Sequence, residues 1–464
     1  MANRIPEETI EKIRNTVDIV DLVSEYVQLK KQGRSYVGLC PFHDEKTPSF
    51  SVSPDKQIYH CFGCGNGGNA FTFLMEMEGY EFLEAVKHLA DKVHVEVPDL
   101  IIDHKQENKG NRHLLISAHE LLAKFYHSCL VKTNAGEQAR RYLKERGIQE
   151  ETIQTFQIGY APNEWDLATN FLTKRGFTAE ILQKSGVFSK REFDGKYFDR
   201  FRNRIMFPIW DIRGRPIAFG GRVLGDGKPK YLNSPETEIF NKGKTLFGFH
   251  LAKPSIREKK QVILFEGNVD VIAAHQAGLK NTVASLGTSL TEEQAHIIRR
   301  HAESVVICYD SDNAGIRATF RAAEILETAG CYVKIATMAD GLDPDDYIGK
   351  YGGRRFETDV IGASETVTAF KMSYFRREKN LQDEGDRMRY IEEVLRVIAG
   401  LPKAVERDHY LRQLAEEFSL SLDALKQQQY LTYKQMRQNG INKGRDSHNK
   451  ALNHKVMKKS SLLP

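Results

Sequence analysis

Gln261-Val262-Ile263-Leu264-Phe265-Glu266-Gly267, with Asp270 three residues further on, is an apolar run of strand length that ends in a carboxylate. Two later runs repeat the arrangement. Val305-Val306-Ile307-Cys308-Tyr309 ends in Asp310-Ser311-Asp312, followed by Asn313-Ala314-Gly315, and Val333-Lys334-Ile335-Ala336 leads to Asp343-Pro344-Asp345-Asp346. Across residues 261–340 such runs alternate with helical ones, the pattern of a parallel sheet with crossover helices. Ligands of open parallel sheets bind outside the carboxyl ends of the strands. The reading therefore gathers Glu266, Asp270, Asp310, Asp312, Asp343 and Asp345 at one edge. Six acids so placed repel one another unless a cation joins them. Mg²⁺ or Mn²⁺, held by a few carboxylates with positions open to phosphate oxygens, is the economical explanation. Two such ions would clamp the attacking and leaving oxygens of an in-line phosphoryl displacement. A lone acid after a strand is ordinarily a helix N-cap, and Asp343-Pro344-Asp345 alone could be a turn. Coincidence on three strands is harder to accept.

Upstream, Cys40-Pro41-Phe42-His43 and Cys61-Phe62-Gly63-Cys64 form C-x2-H and C-x2-C, with 17 residues between His43 and Cys61. Four such ligands make the closed tetrahedral set that one structural Zn²⁺ takes, with no position left to activate water. Ser49–Ser53 and Gln57–His60 read as two strands joined at Pro54-Asp55, a zinc-ribbon hairpin. His60 is a rival ligand, but beside Cys61 in a strand it points to the opposite face. Lys30, Lys31, Arg34, Lys46 and Lys56 are interleaved with Tyr36, Phe42, Phe50, Tyr59 and Phe62. Lysines meet phosphates and aromatics stack on unpaired bases, so a single-stranded nucleic-acid surface is plausible. For most of these aromatics the reading here is the core of a small module.

The chain has 464 residues, with Lys+Arg 67 against Asp+Glu 62, a net charge of +5. Residues 431–464 hold eight Lys/Arg and one acid, so the rest is near −2 and a nucleic-acid claim needs a local patch. Lys196 to Lys230 supplies one, with nine Lys/Arg (among them Arg202, Arg222 and Lys230) and three acids, followed by Lys242 and Lys244. Asn241-Lys242-Gly243-Lys244-Thr245 has the ending of a P-loop, but Glu238 stands where its first glycine belongs, which excludes an ATPase. Six cysteines make no disulfide scaffold. No apolar run approaches the roughly 20 residues of a membrane helix, and no signal-peptide core is present, so the cytoplasm is the expected location.

The expected organisation is a multidomain α+β chain. Residues 1–100 form a zinc-ribbon domain, with helices expected over 7–30 and 71–92; 101–112 form a linker and 113–255 a basic mixed α/β subdomain. The parallel-sheet metal-binding domain takes 256–345, a helical subdomain 346–430, and a basic disordered tail 431–464.

These motifs, taken in order, resemble those of bacterial DnaG-type primases. The resemblance runs from about Pro6 to about Gln429. It includes the two knuckles, Arg202-Asn203-Arg204-Ile205-Met206-Phe207-Pro208-Ile209, Pro229-Lys230-Tyr231-Leu232-Asn233-Ser234-Pro235-Glu236-Thr237 and the three acidic motifs, whose sheet segment resembles the Toprim domain. It implies a nucleotidyltransferase, a DNA-directed RNA polymerase that copies single-stranded DNA into short primers for replication. Cys40, His43, Cys61 and Cys64 would hold zinc; Glu266, Asp310, Asp312, Asp343 and Asp345 would hold two or more Mg²⁺ or Mn²⁺, supported by Asp270. Glu266, Asp270, Asp310 and Asp312 would be catalytic. Arg146, Arg202, Arg222, Lys230, Tyr231 and Lys242 match basic and aromatic positions that line nucleotide and template. The implied partners are single-stranded DNA and ribonucleoside triphosphates, with no membrane and a monomeric enzyme. Two departures stand out. Asn268-Val269 replaces the family's usual Tyr-Met, and the 35 residues from Tyr430 are too few and too polar for the family's further C-terminal helicase-binding domain, which puts the replicative helicase in doubt as a partner. The rival readings are a Toprim nuclease or topoisomerase, and a non-catalytic zinc-ribbon DNA-binding protein.

Overall fold

The computed structural model describes residues 6–438 except 44, 46, 79, 81, 97–111, 192–194, 288, 339–340 and 378, and the side chains of residues 83 and 84. The linker expected at 101–112 thus lies outside the described residues except for Arg112, which begins a helix. The chain divides into two units, Met1–Ser364 and Glu365–Pro464.

The first unit opens with helices Glu7–Thr16 and Ile19–Ser24. The helical stretch expected over 7–30 is therefore broken in two. Asp18 takes the N-cap of the second helix and accepts the backbone N–H of Val20 and Asp21, a local bond that overrides the continuous apolar spacing. Lys30–Gln32 is already a strand, β1. It leads an antiparallel sheet in chain order, with β2 (Ser35–Gly38), β3 (Phe50–Ser53), β4 (Ile58–Cys61) and β5 (Gly67–Gly68). Helices Ala70–Glu78 and Phe82–Lys92 replace the single helix expected from Phe71 to Lys92. Ile13, Leu22, Phe50, Tyr59, Phe73 and Leu89 join in one apolar core.

The middle of the unit is a second antiparallel sheet. β6 (Gly159–Ala161) pairs with β9 (Arg204–Trp210), β9 with β10 (Pro216–Val223), and β10 with β11 (Tyr231–Asn233); β7 (Phe188–Lys190) and β8 (Tyr197–Asp199) form a separate hairpin. The 21-residue helix Arg112–Lys132 packs on β6 and β10.

β12 (Gln261–Phe265), β13 (Thr282–Ala284), β14 (Ser304–Ile307) and β15 (Tyr332–Ile335) then form a parallel sheet in the order β13-β12-β14-β15. Its strands read as near-continuous apolar runs because both faces are buried. The same core continues from the middle sheet into this one, from Leu115 to Ile361. Helix Ala70–Glu78 meets helix Phe249–Lys259 through Glu78, whose buried carboxylate accepts the Tyr26 hydroxyl at 2.9 Å and pairs with both Lys253 and Arg257.

The second unit is helical, with helices Val367–Arg376, Glu384–Gly400 and Ala404–Phe418 around Tyr390, Val394, Ile398, Leu411 and Leu414. A last helix runs over 422–438, beyond residue 430 where the sequence reading starts a disordered tail; residues 439–464 lie outside the described residues.

Candidate metal centres and nucleic-acid face

The zinc quartet assembles as the spacing predicts. Ligand atoms of Cys40, His43, Cys61 and Cys64 all lie within 4.8 Å of one another. Zn–S of about 2.3 Å and Zn–N of about 2.0–2.1 Å at tetrahedral angles require about 3.8 Å between sulfurs and about 3.5 Å between sulfur and nitrogen. The observed separations are 3.9 Å for Cys40 Sγ to Cys64 Sγ and 3.6 Å for Cys61 Sγ to His43 Nδ1, so the donor set fits the ion. The pairing of β3 with β4 brings the second knuckle back to the first. His60 is exposed and stands outside the quartet, on the face opposite Cys61.

The same sheet sorts the aromatic residues. Phe42, Phe50, Tyr59 and Phe73 form one cluster, with Phe50 and Tyr59 stacked at 5.2 Å between ring centroids. Phe62 is different: it is 77 % exposed and its ring lies 4.9 Å from that of His60. Ile58, His60 and Phe62 present an apolar and aromatic stripe on the outer face, and Lys30, Lys31, Arg34 and Lys56 of the same module are exposed. Lys46 lies outside the described residues.

At the carboxyl ends of β12, β14 and β15 the acids converge. Burial first, then the charges of Asp310 and Asp312, push the Glu266 carboxyl up to about 7. Burial, then Asp310, Asp343 and Asp345, push Asp270 up to about 8. Asp310 is raised by burial and by Asp343 and Asp312. Such mutual influence requires that the three strand ends share one region. Glu266 Oε1 is buried with no hydrogen-bond partner, an orphaned acceptor of the kind a divalent cation satisfies. The Asp345 backbone N–H works against the rise at Asp270, which brings the third acidic loop to the first. Gly315 permits this packing, because a Cβ there would sit 2.1 Å from the Asp310 carbonyl oxygen.

Two acids also do the ordinary capping work. Asp312 Oδ1 accepts the Gly315 N–H at 2.7 Å and Asp343 Oδ1 accepts the Asp346 N–H at 2.7 Å, each starting a helix. Capping uses one oxygen of each carboxylate. Asp345 pairs with Arg146, which also reaches Asp346 at 4.0 Å. Among the described residues these oxygens do not draw together as tightly as the zinc ligands do.

The basic residues divide into groups. Arg146, Arg222 and Tyr231 line a shallow surface pocket together with Tyr142, Val269 and Ile272. Arg222 lies over the Tyr142 ring at 4.5 Å, and Lys230 sits 5.9 Å from the Tyr231 ring. Arg202 is placed elsewhere, over Trp165 at 4.0 Å and Phe198 at 5.5 Å. Lys242 belongs to a turn held by Gln294, whose side chain donates to the Lys242 carbonyl at 2.9 Å. Sequence reading misses Tyr142 and Trp165. Tyr142 stands four residues before Arg146, on the same helix face, which is the signal that could have found it. The departure at Asn268-Val269 falls on the pocket wall, through Val269.

Residues 5–105 match the family model described as CHC2 zinc finger, 125–253 the DNA primase catalytic core, N-terminal domain, and 263–348 a Toprim-like model. Residues 368–423 match the DnaB-helicase binding domain of primase. This resolves the doubt over the helicase: helicase-binding sequence is present, in the helical unit before residue 430 and not after it. A DNA primase of Halalkalibacterium halodurans is 58 % identical over 465 residues, covering 100 % of this chain and 77 % of the relative. The crystal structure of the zinc-binding and RNA polymerase domains of Aquifex aeolicus primase has a TM-score of 0.57 at 33 % identity, covering 90 % of this chain and 98 % of that one. A DnaG primase catalytic domain bound to single-stranded DNA has a TM-score of 0.57 at 35 % identity, covering 67 % of this chain and 97 % of that one.

Proposed function

The chain belongs to the DNA primase family, and from that premise we propose that it joins ribonucleotides by two-metal nucleotidyl transfer at the acidic strand ends. It is a nucleotidyltransferase, a DNA-directed RNA polymerase that makes RNA primers on single-stranded DNA. Family membership removes the topoisomerase and the non-catalytic readings. The observation that carries the mechanism is the orphaned Glu266 Oε1, on a carboxyl whose proton affinity is raised by burial and by the neighbouring charges of Asp310 and Asp312.

Divalent cations bound here would acidify the 3′-hydroxyl of the growing primer and neutralise the departing pyrophosphate. Glu266, Asp310, Asp312, Asp343 and Asp345 are the residues that hold them. Asp270 acts behind these, beside the Asp345 backbone. Arg222, braced on Tyr142, and Lys230 beside Tyr231 face the triphosphate, while Arg146 balances Asp345. Arg202 with Trp165, and Lys242, serve the template strand. The zinc holds the ribbon in shape so that Ile58, His60 and Phe62 meet unpaired bases. The helical unit docks the replicative helicase through residues 368–423. No helix among the described residues is long and apolar enough to cross a membrane, and a replication enzyme working on the chromosome belongs in the cytoplasm.

Incorporation of labelled ribonucleotides on a defined single-stranded template, with and without the helicase, tests the reading. Asp310→Ala and Asp312→Ala are expected to abolish primers; synthesis at the unsubstituted level in both would show that the acids are wrongly assigned.

A further inference from the structure

Glu45 lies just past the first zinc knuckle, and its side chain is 9 % exposed. Oε1 accepts the backbone N–H of Cys40 at 2.7 Å and of Ser49 at 3.0 Å. Oε2 accepts the Ser49 hydroxyl and stands 3.4 Å from His43 Nε2. Ser49 Oγ in turn lies 3.2 Å from Cys61 Sγ. One carboxylate thus reaches three of the four ligands: Cys40 through its main chain, His43 through its ring and Cys61 through Ser49.

The two nitrogens of His43 face different partners, Nδ1 toward Cys61 Sγ at 3.6 Å and Nε2 toward Glu45. A neutral imidazole that gives one nitrogen to a metal carries its proton on the other. We propose that Glu45 is the positioning residue of the zinc site: it accepts the Nε2–H of His43, fixes Nδ1 as the ligand atom, and holds Ser49 against Cys61. A carboxylate on the outer nitrogen locks the ring's orientation and strengthens the inner nitrogen as a ligand. Gly63 leaves room for the arrangement, since a Cβ there would lie 2.5 Å from His43 Nε2 and 2.8 Å from Ser49 Oγ. The proposal rests on the zinc assignment alone and stands or falls apart from the polymerase mechanism.

Glu45→Gln separates this role from general packing. The amide oxygen still accepts from Cys40 and Ser49, while the amide NH₂ is turned toward the His43 Nε2–H and the Ser49 hydroxyl, where no acceptor remains. Zinc transfer from the full chain to a competing chelator should become roughly 10–100-fold more favourable. The cobalt-substituted protein should show altered d–d bands. In the unsubstituted zinc-loaded protein, ¹⁵N NMR should place the metal on Nδ1 and the proton on Nε2 of His43, a result independent of how the variant folds. Metal on Nε2, or a Glu45→Gln protein with unchanged zinc retention and cobalt spectrum, overturns the proposal.

Discussion

Replacing Glu78 by Gln isolates the contact between the zinc-bearing module and the helix Phe249–Lys259. Glu78 is 3 % exposed and pairs with Lys253, 13 % exposed, and Arg257, 40 % exposed. Arg257 keeps enough water to be screened once its partner is gone, and it retains the Tyr26 ring at 4.9 Å. Lys253 does not, so the loss is essentially that of one buried ammonium left unpaired. Breaking a buried pair from one side costs about 3–5 kcal/mol. The amide still accepts a hydrogen bond and Lys253 retains some exposure, which brings Glu78→Gln just below that range, to about 2–3 kcal/mol. Lys253→Met added to Glu78→Gln removes the stranded charge and should recover most of that loss. The assay is urea denaturation of zinc-loaded protein followed by far-ultraviolet circular dichroism, as a double-mutant cycle. A cost below about 0.5 kcal/mol, the range of an exposed pair, or no recovery in the double variant, would refute the argument.

His119, His250, His275 and His301 are all held to about 4 by burial. In the unfolded chain they take up protons near 6.5, so stability is full above that pH and is lost as the pH falls from 6.5 toward 4; a urea midpoint unchanged between pH 7 and pH 5 would contradict this. Gly315→Ala places a methyl 2.1 Å from the Asp310 carbonyl oxygen and should abolish primer synthesis by moving Asp310, whereas Gly349→Ala, with open space around it, should leave synthesis intact in the same assay. Tyr142→Leu removes the ring under Arg222 and should raise the KM for ribonucleotides several-fold with little change in Tm; a fall in Tm at constant KM would mean that the ring serves packing alone.

The four zinc ligands were legible because spacing alone confines them: two residues between knuckle ligands and a hairpin between knuckles leave little freedom. The strands that carry the acids were legible for a related reason. Doubly buried parallel strands are apolar throughout, so Gln261–Phe265 ends visibly where Glu266 begins. Short β13, with three residues, gave no such signal. The helix break at Asp18 was missed because apolar spacing continues across it, and only the capping bonds reveal it. Contacts between distant residues were beyond the sequence altogether. Nothing local joins Glu78 to Arg257, and nothing local lays Arg222 on Tyr142 instead of Arg202, which goes to Trp165. The helical unit was legible as a helical subdomain, but its role was not, because apolar helix spacing builds a core and carries no mark of the partner its surface takes.

The central claim is that Glu266, Asp310 and their neighbours hold divalent cations. Electron paramagnetic resonance of the zinc-loaded chain titrated with Mn²⁺ measures this without any turnover. The account predicts saturable Mn²⁺ binding that is lost or weakened at least tenfold in Glu266→Gln and in Asp310→Asn, with zinc content unchanged. Equal Mn²⁺ binding in the unsubstituted chain and both variants would contradict it.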